Sequence, residues 1–170
     1  MLNISKQFIS YNRSSRSGSP IYIVIHDTGD PGATAQNEHD YFAGGDRQAS
    51  ADFFVDSDNI IQIIDTDNYY SWHCGDGGGA YGISNKNSLG IEMCLSDDGN
   101  LSNTTISNTL DLVKYLMSKY GINIDHVVRH YDASSSRSIV KGWNQNSTGW
   151  WYWLKDSCKM AKSEWVMAKQ

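Results

Sequence analysis

The sequence predicts an α/β fold, a mixed central β-sheet flanked by helices, and three observations carry that prediction. Short apolar, β-branched runs recur along the chain. Residues 106–120 place apolar side chains at helical spacing. Strands and helices interleave, with one early hairpin that adds an antiparallel pair.

The elements follow in order. Residues 20–25 (PIYIVI) read as a buried strand running into His26. Gly29, Pro31 and Gly32 then break the chain into a loop. Residues 35–43 read as a helix with Thr34 as N-cap and Gly44-Gly45 as its stop. Residues 51–55 and 60–64 read as strands on either side of the turn Asp56-Ser57-Asp58-Asn59. Five glycines among residues 75–82 predict a loop, and residues 89–94 another buried strand. Ile106, Leu110, Val113, Leu116, Met117 and Tyr120 share one helix face that Gly121 closes. A short strand, residues 126–129, ends at His130. A Ser-rich irregular stretch follows, then a terminal helix over residues 150–167. With no internal repeat, the reading is one domain over residues 1–170 with its core at about 20–160.

Composition narrows the function. Hydrophobic content of 39% and charged content of 19% are those of an ordinary globular domain. A net charge of −5 argues against nucleic acid, which selects clustered Lys and Arg. Six Trp and ten Tyr suit a carbohydrate-facing surface, although core packing accounts for most aromatic residues in most proteins. Cys74, Cys94 and Cys158 show no CxxC spacing, so free thiols are expected. The first twenty residues show no apolar signal region, and no apolar run reaches the roughly 20 residues of a membrane span. The expectation is synthesis in the cytoplasm without an export signal, and no membrane partner.

Two histidines, His26 and His130, fall at the C-terminal ends of predicted strands, the edge where open α/β sheets bind ligands. Imidazole is a common zinc ligand, and two strand ends of one sheet can bring two such ligands together. On this pattern alone, packing or capping roles are about as good a reading. Glu92 interrupts the apolar run Leu89-Gly90-Ile91-Glu92-Met93-Cys94. A buried carboxylate is costly unless paired or used, and burial moves its pKa toward that of a useful base. A structural ion pair is the competing reading.

The chain resembles the zinc-dependent N-acetylmuramoyl-L-alanine amidases of phage-endolysin type, which share a fold with peptidoglycan recognition proteins. Five motifs in order, between about Tyr22 and Trp153, carry the resemblance. They are IVIHDTG around His26, ASADFFVD around Asp52, WHCGDG around His73, NSLGIEMC around Glu92, and VRHYDAS around His130. The resemblance implies zinc held by His26 and His130, with Glu92 as general base. The reaction it implies cleaves the amide between the lactyl group of N-acetylmuramic acid and L-alanine of the peptidoglycan stem peptide, so that the protein acts on the bacterial cell wall. His73 would line the cleft and contact substrate, or be a loop histidine without a role. Asp52-Phe53 stand where many relatives have His-Tyr, which puts Asp52 on the substrate side and alters that contact. Relatives carry Lys, Cys and Pro where this chain has Ser136, Ser138 and Ile139, so the third metal position falls on Ser138. Arg137 then stands in for the positive charge that would face the oxyanion. Asp132 or water could replace the missing thiolate, or the chain could be a non-catalytic peptidoglycan-binding module.

Overall fold

The structure is a computed structural model and describes residues 2–78 and 81–133. Two short strands open the chain, β1 (Ser5–Lys6) and β2 (Arg13–Ser15), before the long strand β3 (Tyr22–Asp27). Helix α1 (Ala35–Ala43) leads to a hairpin of β4 (Phe53–Val55) and β5 (Ile60–Gln62), and then to β6 (Tyr69–Ser71). The second long strand, β7 (Ser88–Met93), precedes helix α2 (Asn103–Tyr120), strand β8 (Val127–Arg129) and a helical turn α3 (His130–Ala133). Six strands form one mixed sheet in the order β1-β5-β4-β7-β3-β8, and β2 pairs antiparallel with β6 beside it. The predicted α/β class with a mixed sheet is therefore observed, with β4–β5 as its antiparallel pair. The expected terminal helix lies outside the described residues. Among those described, no helix is long and apolar enough to cross a membrane.

Alternation along β3 and β7 sorts their side chains onto two faces. Ile23, Ile25, Leu89, Ile91 and Met93 pack against Leu112, Val113 and Leu116 of α2 in the main core. The opposite face is shared. At one end Phe54, Ile61 and Ile63 pack with Ala35 and Phe42 of α1. Toward β8, Val24 packs with Ile83 and Ala133, and between the two clusters lie His26, Gly90 and Glu92, where the site is built.

The caps explain where the helices start and stop, at Thr34, Gly44 and Gly121 as expected and at Ser102, which the sequence reading did not single out. Thr34 and Asn37 form a reciprocal capping box on α1. The Gly44 N–H closes the helix onto the carbonyls of Asp40 and Tyr41. Ser102 caps α2, and Gly121 ends it at φ 69°, a left-handed conformation that favours glycine. Asp56 joins three elements: its Oδ1 accepts the Asp58 and Asn59 N–H groups of the hairpin turn, and its Oδ2 accepts Ala35 N–H of α1. The strands are trimmed against expectation. The hairpin strands lose residues 51–52 and 63–64, and β3 starts two residues late and continues through His26 to Asp27. Parallel pairing with β7 sets that end, because β7 supplies partners through Met93.

Candidate active site

The register of the β3–β7 pair places His26 opposite Glu92. Both point to the face away from α2, and His26 Nδ1 lies 3.7 Å from Glu92 Oε1. Strand β8 pairs with β3 on the other side and ends at Arg129, so His130 opens α3 with its ring centroid 4.5 Å from that of His26. The two histidines singled out from the sequence thus meet, together with Glu92. His73 joins them from the turn after β6, its Nδ1 3.0 Å from His26 Nε2. That contact with His26, rather than an outward-facing loop position, was not legible in the Trp72-His73 pair.

Two features hold His73 in place. Asn85 Oδ1 accepts the backbone N–H groups of His73, Cys74 and Gly75 at 2.8–3.1 Å, which fixes the turn. Gly90 in the middle of β7 makes room for the ring: a Cβ there would sit 2.6 Å from His73 Cγ. Asp52 belongs to this scaffold and not to a ligand-contacting surface. It has no exposed area, and its Oδ2 accepts the Gly90 N–H at 2.7 Å and the Ser71 hydroxyl at 2.8 Å. A carboxylate enclosed in this way cannot reach a substrate, which corrects the sequence reading.

A cavity of about 140 Å³ opens beside this cluster, lined by Thr28, Glu38, Phe42, Trp72, His73 and Glu92 among others. Glu38 was not anticipated. The signal was available, since residues 35, 38 and 42 share one face of α1 at helical spacing and both Ala35 and Phe42 pack inward. Glu38 is pushed up to about 7 by burial and then by Asp30. Glu92 stands well above the ordinary carboxylate range, through burial first and the negative charges of Asp27 and Glu38 second. Its Oε2 is buried and meets no hydrogen-bond partner among the described residues.

The histidines shift the other way. Burial, reinforced by His73 and His130, holds His26 well below its ordinary value. His73 falls to about 3 through burial, His130 and Arg16, and burial alone lowers His130. Imidazole lone pairs beside a carboxyl of raised proton affinity can bind an electrophile and exchange a proton. Among the described residues no three or more of His, Cys, Asp and Glu stand ready to hold a metal ion. Asp132, the replacement ligand the sequence allowed, is held by Arg129, Nη2 to Oδ1 at 2.8 Å and Nε to Oδ2 at 2.9 Å. Cys74 and Cys94 are free thiols, as expected. Arg137, Ser138 and Cys158 lie outside the described residues.

A sequence model of the N-acetylmuramoyl-L-alanine amidase family matches residues 16–149. The chain is 36% identical over 148 residues to a probable N-acetylmuramoyl-L-alanine amidase of Bacillus licheniformis, covering 79% of this chain and 42% of that protein. It is 34% identical to the N-acetylmuramoyl-L-alanine amidase BlyA of Bacillus subtilis, covering 84% of this chain and 43% of that one. The chain thus spans less than half the length of these two relatives. In structure it is similar to a mutant endolysin from Bacillus subtilis, with a TM-score of 0.76 and 31% identity over 93% of this chain and 99% of that one. The catalytic domain of XlyA gives a TM-score of 0.75 and 30% identity over 92% of this chain and 99% of that one.

Proposed function

The chain belongs to the N-acetylmuramoyl-L-alanine amidase family, and from that premise we propose that it hydrolyses peptidoglycan at the amide joining N-acetylmuramic acid to L-alanine of the stem peptide. The observation that carries the proposal is the facing pair His26 and Glu92, with a buried Glu92 oxygen that meets no partner among the described residues, beside a cavity.

The residues suit a zinc ion. The imidazoles of His26 and His130, ring centroids 4.5 Å apart, are the donor type zinc takes, and the Glu92 carboxyl stands next to His26. Ser138, at the position where relatives carry Cys, is the candidate for the third place. Zinc there would supply a water of lowered pKa and polarise the scissile carbonyl. Glu92 takes the proton of the attacking water and passes it to the leaving amine. Burial, with Asp27 and Glu38 behind it, raises its proton affinity, which strengthens it as the base. Arg137 is assigned the positive charge that faces the developing oxyanion. His73 lines the cavity, and Trp72 and Phe42 provide its apolar wall.

A hydroxyl at Ser138 is a weaker zinc donor than a thiolate, and this favours a second reading, a peptidoglycan binder without turnover. Purified peptidoglycan digested with the wild-type chain and with Glu92→Gln separates the two. New L-alanine amino termini should appear with wild type and fall on the order of 10²–10⁴-fold with the variant. Cosedimentation with walls and no new termini would establish the binder instead.

A further inference from the structure

The hydrogen bonds behind His26 form a chain that runs in one direction only. The Ser88 hydroxyl donates its single proton to the Ser84 carbonyl, which can only accept. Ser88 Oγ also lies 3.0 Å from His73 Nε2, so at that contact it must accept, and His73 carries its proton on Nε2. A neutral imidazole protonated at Nε2 has its lone pair on Nδ1. His73 Nδ1 is 3.0 Å from His26 Nε2, so His26 must donate there. His26 is then left with one lone pair, on Nδ1, the nitrogen that faces Glu92.

We infer that His73 is a positioning residue that fixes the tautomer of His26, turning the Nδ1 lone pair of His26 toward the Glu92 side of the site through the relay Ser84–Ser88–His73–His26. The surrounding structure is built for this purpose. Gly90 leaves the space the His73 ring fills, and Asn85 holds the turn that carries it. Imidazole ligands are commonly held through their second nitrogen by a carboxylate, a carbonyl or water. Here a second histidine takes that place, and a backbone carbonyl anchors it one hydroxyl further back. The inference deepens the proposed metal site, but the tautomer itself is a property of the metal-free chain.

The test uses the whole 170-residue chain. Long-range proton–nitrogen correlation spectra of the metal-free protein should show both His26 and His73 protonated at Nε2. In Ser88→Ala the relay loses its anchor, and His26 should become a mixture of tautomers. Competition with a zinc chelator gives a second readout. His73→Leu should weaken zinc binding about ten- to a hundredfold, while His73→Gln, whose amide oxygen still accepts from His26 Nε2, should retain most of the affinity. A wild-type His26 protonated at Nδ1, or a single tautomer unchanged in Ser88→Ala, would overturn the inference. So would equal zinc affinity for wild type and His73→Leu. A wild-type chain that takes up no zinc would instead defeat the proposed metal site, and the spectra would still decide the tautomer.

Discussion

Asp52 has no exposed surface, and its carboxyl is pushed up to about 6 by burial, which outweighs the Gly90 N–H, Arg16 and Ser71. The folded chain holds this proton more tightly than the unfolded chain, whose value is near 3.8. The contribution to stability is therefore full below about 3.8 and is lost as pH rises through about 6. Asp52→Asn keeps a carbonyl oxygen for the Gly90 N–H and the Ser71 hydroxyl but removes the charge. Urea unfolding of that variant should be flatter between the two pH values and more stable at neutral pH by about 1–3 kcal/mol. Asp52→Ala should lose about 1–3 kcal/mol, because the Gly90 N–H is left buried and unpaired. An Asn variant with the wild-type pH slope would show that another group sets it. Nothing in the sequence announces this role, since Asp52 simply precedes the continuous apolar run Phe53-Phe54-Val55.

Strand β7 carries a tighter constraint. Its glycine faces an aromatic ring, so Gly90→Ala should cost about 1–3 kcal/mol by forcing the His73 ring or the strand to move. Adding His73→Ala should recover part of that cost, and a double-mutant cycle in urea should give a clear coupling energy. Additive losses would show that Gly90 and His73 do not compete for the same space. The helices were easier to read than the strands for a physical reason. Thr34, Gly44, Ser102 and Gly121 act on backbone within a few residues of themselves, so their meaning is local. Strands β2 and β6 escaped the sequence reading because their pairing is not driven by an apolar pattern. The Arg13 guanidinium lies 3.9 Å from the Tyr69 ring centroid, and Arg16 bonds the carbonyls of Tyr69, Lys86 and Ser88. Such contacts join residues far apart in sequence.

Metal uptake should couple to the stability of the entire chain. If His26 and His130 hold zinc in the folded state, free zinc at a hundred times its dissociation constant should add about 2.7 kcal/mol to unfolding. Calorimetry should then show a higher Tm with zinc and a return to the metal-free value with chelator. Ser138→Cys should shift the same transition at lower zinc, since a thiolate is the stronger donor. A Tm indifferent to zinc in both chains would remove the metal from the proposal. Replacing His26 or His130 by Ala should abolish the zinc response, with elemental analysis as the direct check.

The sequence by itself determined the class of fold, helices α1 and α2 with the caps at Thr34, Gly44 and Gly121, and the presence of His26, Glu92 and His130 at or near strand ends. Those features follow from side-chain period and from the preferences of single residues for caps and turns, which act over a few positions. Only the tertiary structure decided that His26 faces Glu92, that His73 abuts His26, that Asp52 is a buried support and that Arg129 takes Asp132. Each of these depends on strand register or on a contact across a turn. A shift of one residue in register would turn the side chain to the other face of the sheet, and residue identity alone does not specify that register.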